Sequence, residues 1–419
     1  MLDGKSSFSV GSFASKFSSL RRPFLSAQTS EERSGTTLKG QLLKYNSGRP
    51  RNHYLRHCLY NCVVEPALDE KSGFLVSGEN FVWAERGLLR VAELCPDDNI
   101  VGISREGKTS WSSITIAGFK EKDGIIRITT DSNECLLAPN CEIFTVEGIK
   151  RVSSLSVGDL VETANIPFEI LEMLEKKALR FIQFDDHEIT LDEKLGYVLG
   201  AQIRSEGYRD RVVFDQIDTE KAYLLASLCN DIRKTSGIGG KIFYVRGGKR
   251  IRFDSWILAQ LCKAVWKTNK VAIEIRESPP MVMHAFVAGI LDMVLKSNKW
   301  ETPPTFFSTT GYHGELRRFM LNVLRLYGVI PVRMHCVPQQ DGSISFKCSI
   351  NTSDLSKLGL RFIRAMKILP TSQETKAISY SAVRNISRFR DTTVYLSAPE
   401  PHWSPLVDLT PLHRHAFEF

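Results

Sequence analysis

The sequence predicts a multidomain α+β chain in which an all-β unit is interrupted by a tandem repeat of helices and strand pairs. Three observations predict it. From Gly73 to Val161, short runs alternate apolar and polar residues at strand period between turn signals. From about Leu191 to Leu369 the period lengthens to that of helices, and the order of elements repeats. After Pro370 strand texture returns in "TTVYLSAPEPHW" and "SPLVDL", so the helical part reads as an insertion within the β unit. A chain of 419 residues has room for two or three domains.

Residues 1–72 are rich in Ser, Gly, Arg and Lys and lack periodicity, which predicts a poorly structured extension. Its "SSFSVGSFASKFSSLRRPF" is Ser-rich and nearly free of acids, as transit peptides are; a solvated tail is an equal reading. The β unit opens over 73–165. Runs such as "NFVWAERGLLRVAEL" and "DNIVGISREGKTSWSSITIAGF" are punctuated at Arg86-Gly87, Glu106-Gly107, Asp123-Gly124, Asp131-Ser132-Asn133 and Glu147-Gly148. The helical part spans 190–369. Its first repeat, about 191–266, predicts a helix over 191–205, a strand region over 209–216 and a helix over 219–233. Strands over 241–246 and 249–253 and a helix over 255–265 complete it. The second, about 281–368, predicts the same order: 281–295, 305–309, 314–327, 331–337, 343–350 and 353–366. Residues 378–419 return to the β unit.

Two small pairs occupy matching places in this repeat. Gly200-Ala201 lies in "KLGYVLGAQIRSEGY" and Ala288-Gly289 in "MHAFVAGILDMVLKSNKW". A glycine inside a helix costs about 1 kcal/mol against alanine. Two helices shaved in this way can lie side by side with their backbones in contact, which predicts a monomer with internal pseudo-two-fold symmetry. Packing alone explains the pairs as well as function does.

The chain carries 55 Lys and Arg against 47 Asp and Glu, a net charge of +8 that favours a polyanionic partner. Arg204, Arg209, Arg211, Lys241, Arg246, Lys249, Arg250 and Arg252 flank or lie on the predicted strands of the first repeat. β-Ribbons fit the major groove of double-stranded DNA, and such cations would meet phosphates. For any one of them a solvated strand face is the plainer reading; the cluster points to DNA. No apolar run is long enough to span a bilayer, so no membrane is expected. Nine cysteines without a secretory leader suit a reduced intracellular setting. His57, Cys58 and Cys62 in "HCLYNC" lack a second ligand pair for zinc and read as ordinary thiols.

"LGAQIRSEG" (199–207) and "VAGILDMVL" (287–295) resemble the two signature helices of LAGLIDADG (dodecapeptide) homing endonucleases. "NKVAIEIRESPPMVMHAFVAGILD" is similar to the lead-in to the second, and "FFSTTGYHGELRRFMLNVLRLYGVIPVRM" to the strand–helix–strand that follows it. The β unit resembles the Hint (hedgehog–intein) splicing domain. "LVSGENFVWAERGLLRVAELCPDDNIVG", "ITTDSNECLLAPNCEIFTVEGIKRVSSLSVGDLVE" and "TVYLSAPEPHWSPLVDLTPLHRHAF" stand in the order of its blocks. The resemblance covers about 74–419. It implies an all-β Hint-type domain interrupted by a pseudo-two-fold LAGLIDADG αββαββα tandem repeat, as in large inteins. It also implies an acidic residue at the end of each signature helix holding Mg2+, or Mn2+, for phosphodiester hydrolysis. Glu206 fills the first position and is the expected metal ligand and catalytic residue. Val294 fills the second. Asp292 lies about 200° round the helix from it and is a poor substitute. Lys270 matches a lysine that assists catalysis.

The sequence departs from the splicing pattern three times. Leu75 stands where a Cys or Ser nucleophile would begin the reaction. Cys141 stands where a histidine would polarise the scissile amide, and a neutral thiol is a weak donor. The chain stops at "HAFEF" without a terminal Asn to cyclise. The expectation is a splicing-dead, intein-derived DNA-binding protein with Mg2+-dependent cleavage or nicking. The alternative is a catalytically dead DNA-binding relative of the same fold. Leu75 and Cys141 speak against a third reading, a self-processing Hint protein. The expected setting is the nucleus, with the mitochondrion second.

Overall fold

The computed structural model describes residues 72–95, 98–104, 108–113, 115–166, 168–184, 187–204, 210–214, 219–235, 238–245, 250–266, 271–294, 305–308, 314–331, 333–338, 344–349, 378–397, 403–413 and 415–416. It is a mixed α+β chain with one large antiparallel sheet and several smaller ones. The first ten strands are β1 (Ser72–Ser77), β2 (Phe81–Ala84), β3 (Gly87–Arg90), β4 (Asn99–Ser104), β5 (Thr109–Ser113), β6 (Thr115–Thr130), β7 (Glu134–Leu137), β8 (Glu142–Thr145), β9 (Gly148–Arg151) and β10 (Leu160–Ala164). Next come α1 (Phe168–Lys177), β11 (Phe181–Phe184), β12 (His187–Thr190), α2 (Glu193–Ala201), β13 (Val212–Phe214), α3 (Thr219–Thr235), β14 (Lys241–Val245), β15 (Arg250–Asp254) and α4 (Trp256–Trp266). Then follow α5 (Ile273–Arg276), α6 (Pro280–Val294), β16 (Thr305–Ser308), α7 (Gly314–Leu326), β17 (Arg333–Pro338) and β18 (Ile344–Ser349). The last strands are β19 (Ile378–Ser397), β20 (Trp403–Val407), β21 (Thr410–His413) and β22 (His415–Ala416).

Strands from the two ends of the chain share the large sheet, in the order β22-β1-β7-β6-β19-β10-β8-β21-β20-β4-β2-β3. The twenty-residue β19 does most of the joining. Its start pairs with β10 (Ser381 opposite Val161), its middle with β6 (Ile386 opposite Ile128) and its end with β1 (Val394 opposite Val76). Register shifts along the β6 pairing bend the ribbon at several points. Inward residues from both arms, among them Phe74, Val76, Ile126, Val383, Val407 and Leu412, form one apolar cluster. The strand texture seen before Val161 and after Pro370 therefore belongs to one sheet.

The inserted part repeats its order. A long helix, a strand, a helix and two strands occur twice: α2, β13, α3, β14, β15, then α6, β16, α7, β17, β18. The three strands pair in the same non-sequential order in each unit, β13-β15-β14 and β16-β18-β17. The helix expected over 353–366 lies outside the described residues. Three elements went unforeseen: α1, the β11–β12 hairpin and the one-turn α5. The helix expected over 191–205 ends at Ala201 and tightens into a 3-10 turn over Gln202–Arg204. Only one strand, β13, is described in the expected strand region 209–216.

Helix α7 joins the two parts. Its sequence, "GELRRFMLNVLRL", is amphipathic, with a charged stripe opposite an apolar one. Every residue from Gly314 to Leu326 is nevertheless buried. The apolar stripe faces the helical core, where Phe319 meets the rings of Phe286 and Phe81 edge-on at 6.0 and 6.4 Å. The cationic stripe enters the β unit. Arg317 pairs with Glu134, and Arg318 donates to Glu134 at 3.3 Å and to the Glu79 carbonyl at 3.0 Å. Arg325 donates to Asn165 at 2.5 Å, Ser132 at 2.7 Å and Thr163 at 3.2 Å. The Asn322 amide donates to Asp408 at 3.0 Å, in a two-residue β20–β21 turn whose residues take φ of 44° and 65°. Burial pushes the Asp408 carboxyl up to about 7 against the pull of Arg318. A second clasp comes from α5: Arg276 pairs with Glu93 and lies 5.8 Å over the Phe81 ring. Gly87, at φ 139°, lets the Arg276 backbone pack directly on the β2–β3 turn.

Glu134 is the centre of this interface. Burial opposes its charge, yet Arg317, Arg127 and Arg318 hold its carboxyl below the ordinary range. Removing one partner of a buried pair leaves the other uncompensated, at about 3–5 kcal/mol. Glu134→Gln is therefore expected to lower unfolding free energy by about that amount at pH 7, measured by chemical denaturation. A loss under about 1 kcal/mol would show the interface to be loose.

Candidate nucleic-acid interface

Helices α2 and α6 lie face to face at the centre of the inserted part. Asp192 caps α2 by accepting the Leu195 N–H at 2.8 Å. The two backbones then approach so closely that no side chain fits between them. A Cβ at Gly200 would collide with the Phe286 carbonyl oxygen, and one at Gly289 with that of Tyr197. A Cβ at Gly196 would sit 2.7 Å from the Val282 oxygen. The small pairs thus meet as backbone surfaces, and side-chain bonds lock the contact. The Tyr197 hydroxyl donates to the Asp292 carboxylate at 2.7 Å, and Lys221 Nζ donates to the Asp292 carbonyl at 2.5 Å. The Trp266 indole N–H donates to the Leu199 carbonyl at 2.8 Å, and its ring stacks on Phe286 at 5.4 Å. Leu199 sits in the last turn of α2, where carbonyls lack partners within the helix. Trp266 supplies one there, at the point where the helix tightens.

Of the expected site residues, Glu206 and Lys270 lie outside the described residues, as do Arg209, Arg246 and Lys249. Arg204 closes the 3-10 turn after α2, and Val294 ends α6. Asp292 is turned into the helix–helix contact, where its carboxylate accepts from the Tyr197 hydroxyl. Among the described residues no group of three His, Cys, Asp or Glu side chains is placed to hold a metal.

Besides Arg204, four expected cations are described. Arg211 is half-buried beside β13, and the strands order the others. Arg250, Arg252 and Asp254 alternate along β15 and so share one face, opposite Val245, Phe243 and Lys241 of β14. Ile251 and Phe253 point the other way into the core. Lys241, Arg250 and Arg252 therefore come together on the outer face of the small sheet. Arg252 differs from a free phosphate contact, the role expected for it. Its Nε and one Nη bond both oxygens of Asp254, at 2.5 and 2.6 Å, and its guanidinium lies 5.4 Å from the Phe243 ring centroid. Asp254 and Phe243 escaped the sequence reading, although Arg252 and Asp254 at i and i+2 on a strand are its signal. Tyr197 and Trp266 carry no comparable signal.

Of the positions tied to splicing, one lies in a paired strand and one is buried. Leu75 lies within β1, paired with Tyr395 of β19 and flanked by buried Phe74 and Val76. Cys141 lies in an apolar cluster with Cys135, Ile143 and Leu412, and burial pushes its thiol up to about 12. A thiol that stays protonated at neutral pH is neither a nucleophile nor a strong donor.

No protein-family model matches this sequence, and no curated protein matches it. Solved structures similar to it include two kinds of protein. The homing endonuclease I-DmoI, in complex with DNA and calcium, is similar at 17% identity over 39% of this chain and 85% of that one, with a TM-score of 0.30. The DnaX mini-intein from Spirulina platensis is similar at 14% identity over 22% of this chain and 69% of that one, with a TM-score of 0.20. A variant of the Ssp DnaB mini-intein is similar at 18% identity over 24% and 64%, also with a TM-score of 0.20.

Two predictions follow from the helix pair. Gly200→Ala forces a Cβ into the Phe286 carbonyl and is expected to cost about 1–3 kcal/mol or more in chemical denaturation. Gly239→Ala, with nothing within 4 Å of the added carbon, is expected to stay within about 0.5 kcal/mol. Equal effects would mean that the close approach is absent. His284 on α6 is buried with neither ring nitrogen hydrogen-bonded among the described residues, and its ring lies 4.1 Å from that of Tyr327. Burial lowers its pKa to about 4. The unfolded imidazole takes its proton near pH 6.5, so stability falls as pH drops from about 6.5 towards 4, by up to about 3 kcal/mol. His284→Leu is expected to remove that part of the acid sensitivity, read from denaturation curves at pH 7.5 and 4.5. An unchanged pH slope would refute it.

Proposed function

We propose that this chain is an intein-derived, splicing-dead relative of LAGLIDADG homing endonucleases that binds double-stranded DNA and cleaves or nicks it with Mg2+. The observation that carries this reading is the contact of two glycine-shaved helices, each opening a unit of the same element and strand order. In this reading residues 73–165 and 378–419 form the Hint-like part and 190–369 the endonuclease-like part. Glu206 holds the metal and Lys270 assists; Lys241, Arg250 and Arg252 face the DNA. A bound Mg2+ would polarise the phosphoryl oxygens and activate water. The setting proposed is nuclear. Leu75, in the middle of a paired strand, and the sealed Cys141 support the loss of splicing.

A second reading, a DNA-binding protein without cleavage, is favoured by one specific observation. Val294 offers no carboxylate, and Asp292 is held by Tyr197. One acidic position out of two suits single-strand nicking better than double-strand cleavage. The test is incubation of the full chain with a pooled plasmid library and Mg2+ or Mn2+, with new DNA ends read by sequencing. Ends made by the wild type and absent with Glu206→Gln are the expected result. Salt-sensitive DNA binding with no new ends would select the second reading, and no binding would overturn both.

A further inference from the structure

We infer that Arg252 is a guanine-reading residue, held for that task by Asp254, and that Lys241 and Arg250 beside it serve the phosphates. This rests on the DNA-binding reading above and adds the base that one position would select.

The inference starts from how the guanidinium is held. Arg252 and Asp254 are two residues apart on β15 and share its outer face. Asp254 takes the Nε–Nη edge of the guanidinium through both carboxylate oxygens, at 2.5 and 2.6 Å. Phe243, directly opposite Arg252 on β14, lies beneath its plane at 5.4 Å. A long, rotamer-rich side chain is thereby fixed at two points. The other edge, which carries Nη1 and the second Nη2 hydrogen, has no hydrogen-bond partner among the described residues. Two parallel N–H donors at that spacing match the O6 and N7 acceptors of guanine in the major groove.

Charge decides between base and phosphate. A phosphate contact needs net positive charge. Here Asp254 neutralises the guanidinium, and Asp210 adds a second negative charge nearby. A phosphate approaching Arg252 therefore gains little from that guanidinium itself. A guanine edge is neutral and asks only for two oriented donors. Arg250 and Lys241 lie on the same outer face, one on each side of Arg252. A plain surface ion pair, which contributes little to stability, is the competing explanation.

The test is selection from a randomised duplex library by the full chain, comparing wild type, Arg252→Ala, Asp254→Asn and Lys241→Ala. Melting temperatures confirm that each variant folds. The wild type is expected to fix one guanine position that Arg252→Ala releases. The loss of discrimination there should be on the order of 10-fold, within about 5- to 150-fold, with other positions and the salt slope unchanged. Asp254→Asn frees the arginine for phosphates, so specificity at that position falls while non-specific affinity and salt slope rise. Lys241→Ala weakens all sequences alike and lowers the salt slope by about one. The inference is overturned if Arg252→Ala keeps every base preference, or if it weakens binding uniformly with a shallower salt slope. A wild type that shows no salt-sensitive DNA binding would instead overturn the DNA-binding reading itself.

Discussion

The contact between the backbones of α2 and α6 is the constraint on which the inserted part depends. Gly200 against the Phe286 carbonyl and Gly289 against that of Tyr197 leave no space for a side chain. The helices can therefore not slide or rotate without a steric clash. Shaving them loses helix propensity, about 1 kcal/mol per glycine against alanine. Close backbone packing and the buried Tyr197–Asp292 bond offset that loss. The arrangement fixes the ends of both helices relative to each other, and the two small sheets grow outward from it. Precision at the helix ends and placement of the sheet faces are thus one property, set by three glycines.

A second constraint ties the pair to the large sheet. Phe286 on α6 touches Phe319 on α7, and the opposite stripe of α7 carries Arg317, Arg318 and Arg325 into the β unit. Arg276 does the same from α5. Four buried guanidiniums and their partners fix the two parts more specifically than an apolar seam would, because each charge needs its own acceptor. Separation would return carboxylates such as Glu134 and Glu93 to water but also expose the apolar seam around Phe81 and Phe319. The β unit is thereby a structural support of the helical part.

Much of this architecture was legible in the sequence. Period-2 alternation marked the β unit, and the return of that texture after Pro370 marked a single sheet. The small pairs at matching positions foretold the helix contact. The failures have physical causes. The cationic stripe of α7 gave no sign of its partners, because sequence period cannot distinguish water from a buried carboxylate such as Glu134. The shortening of the helix at Ala201 depends on a carbonyl acceptor meeting Trp266, 67 residues away, which no local pattern encodes. Arg252 was visible as a cation, but its neutralisation by Asp254 appears only once the strand places both on one face. Sequence reading located the charges and missed their partners.

Partners are also what separate the two halves of the candidate site. At the end of α2 the Leu199 carbonyl is held by Trp266. At the end of α6, Val294 carries no carboxylate, and Asp292, two residues before it, is bonded to Tyr197 and buried. Freeing Asp292 would break a buried hydrogen bond, and its carboxylate lies about 200° round the helix from position 294. The two helix ends therefore differ in chemistry although their backbones meet in the same way: one is held by a tryptophan from α4, the other by a carboxylate bond across the helix contact.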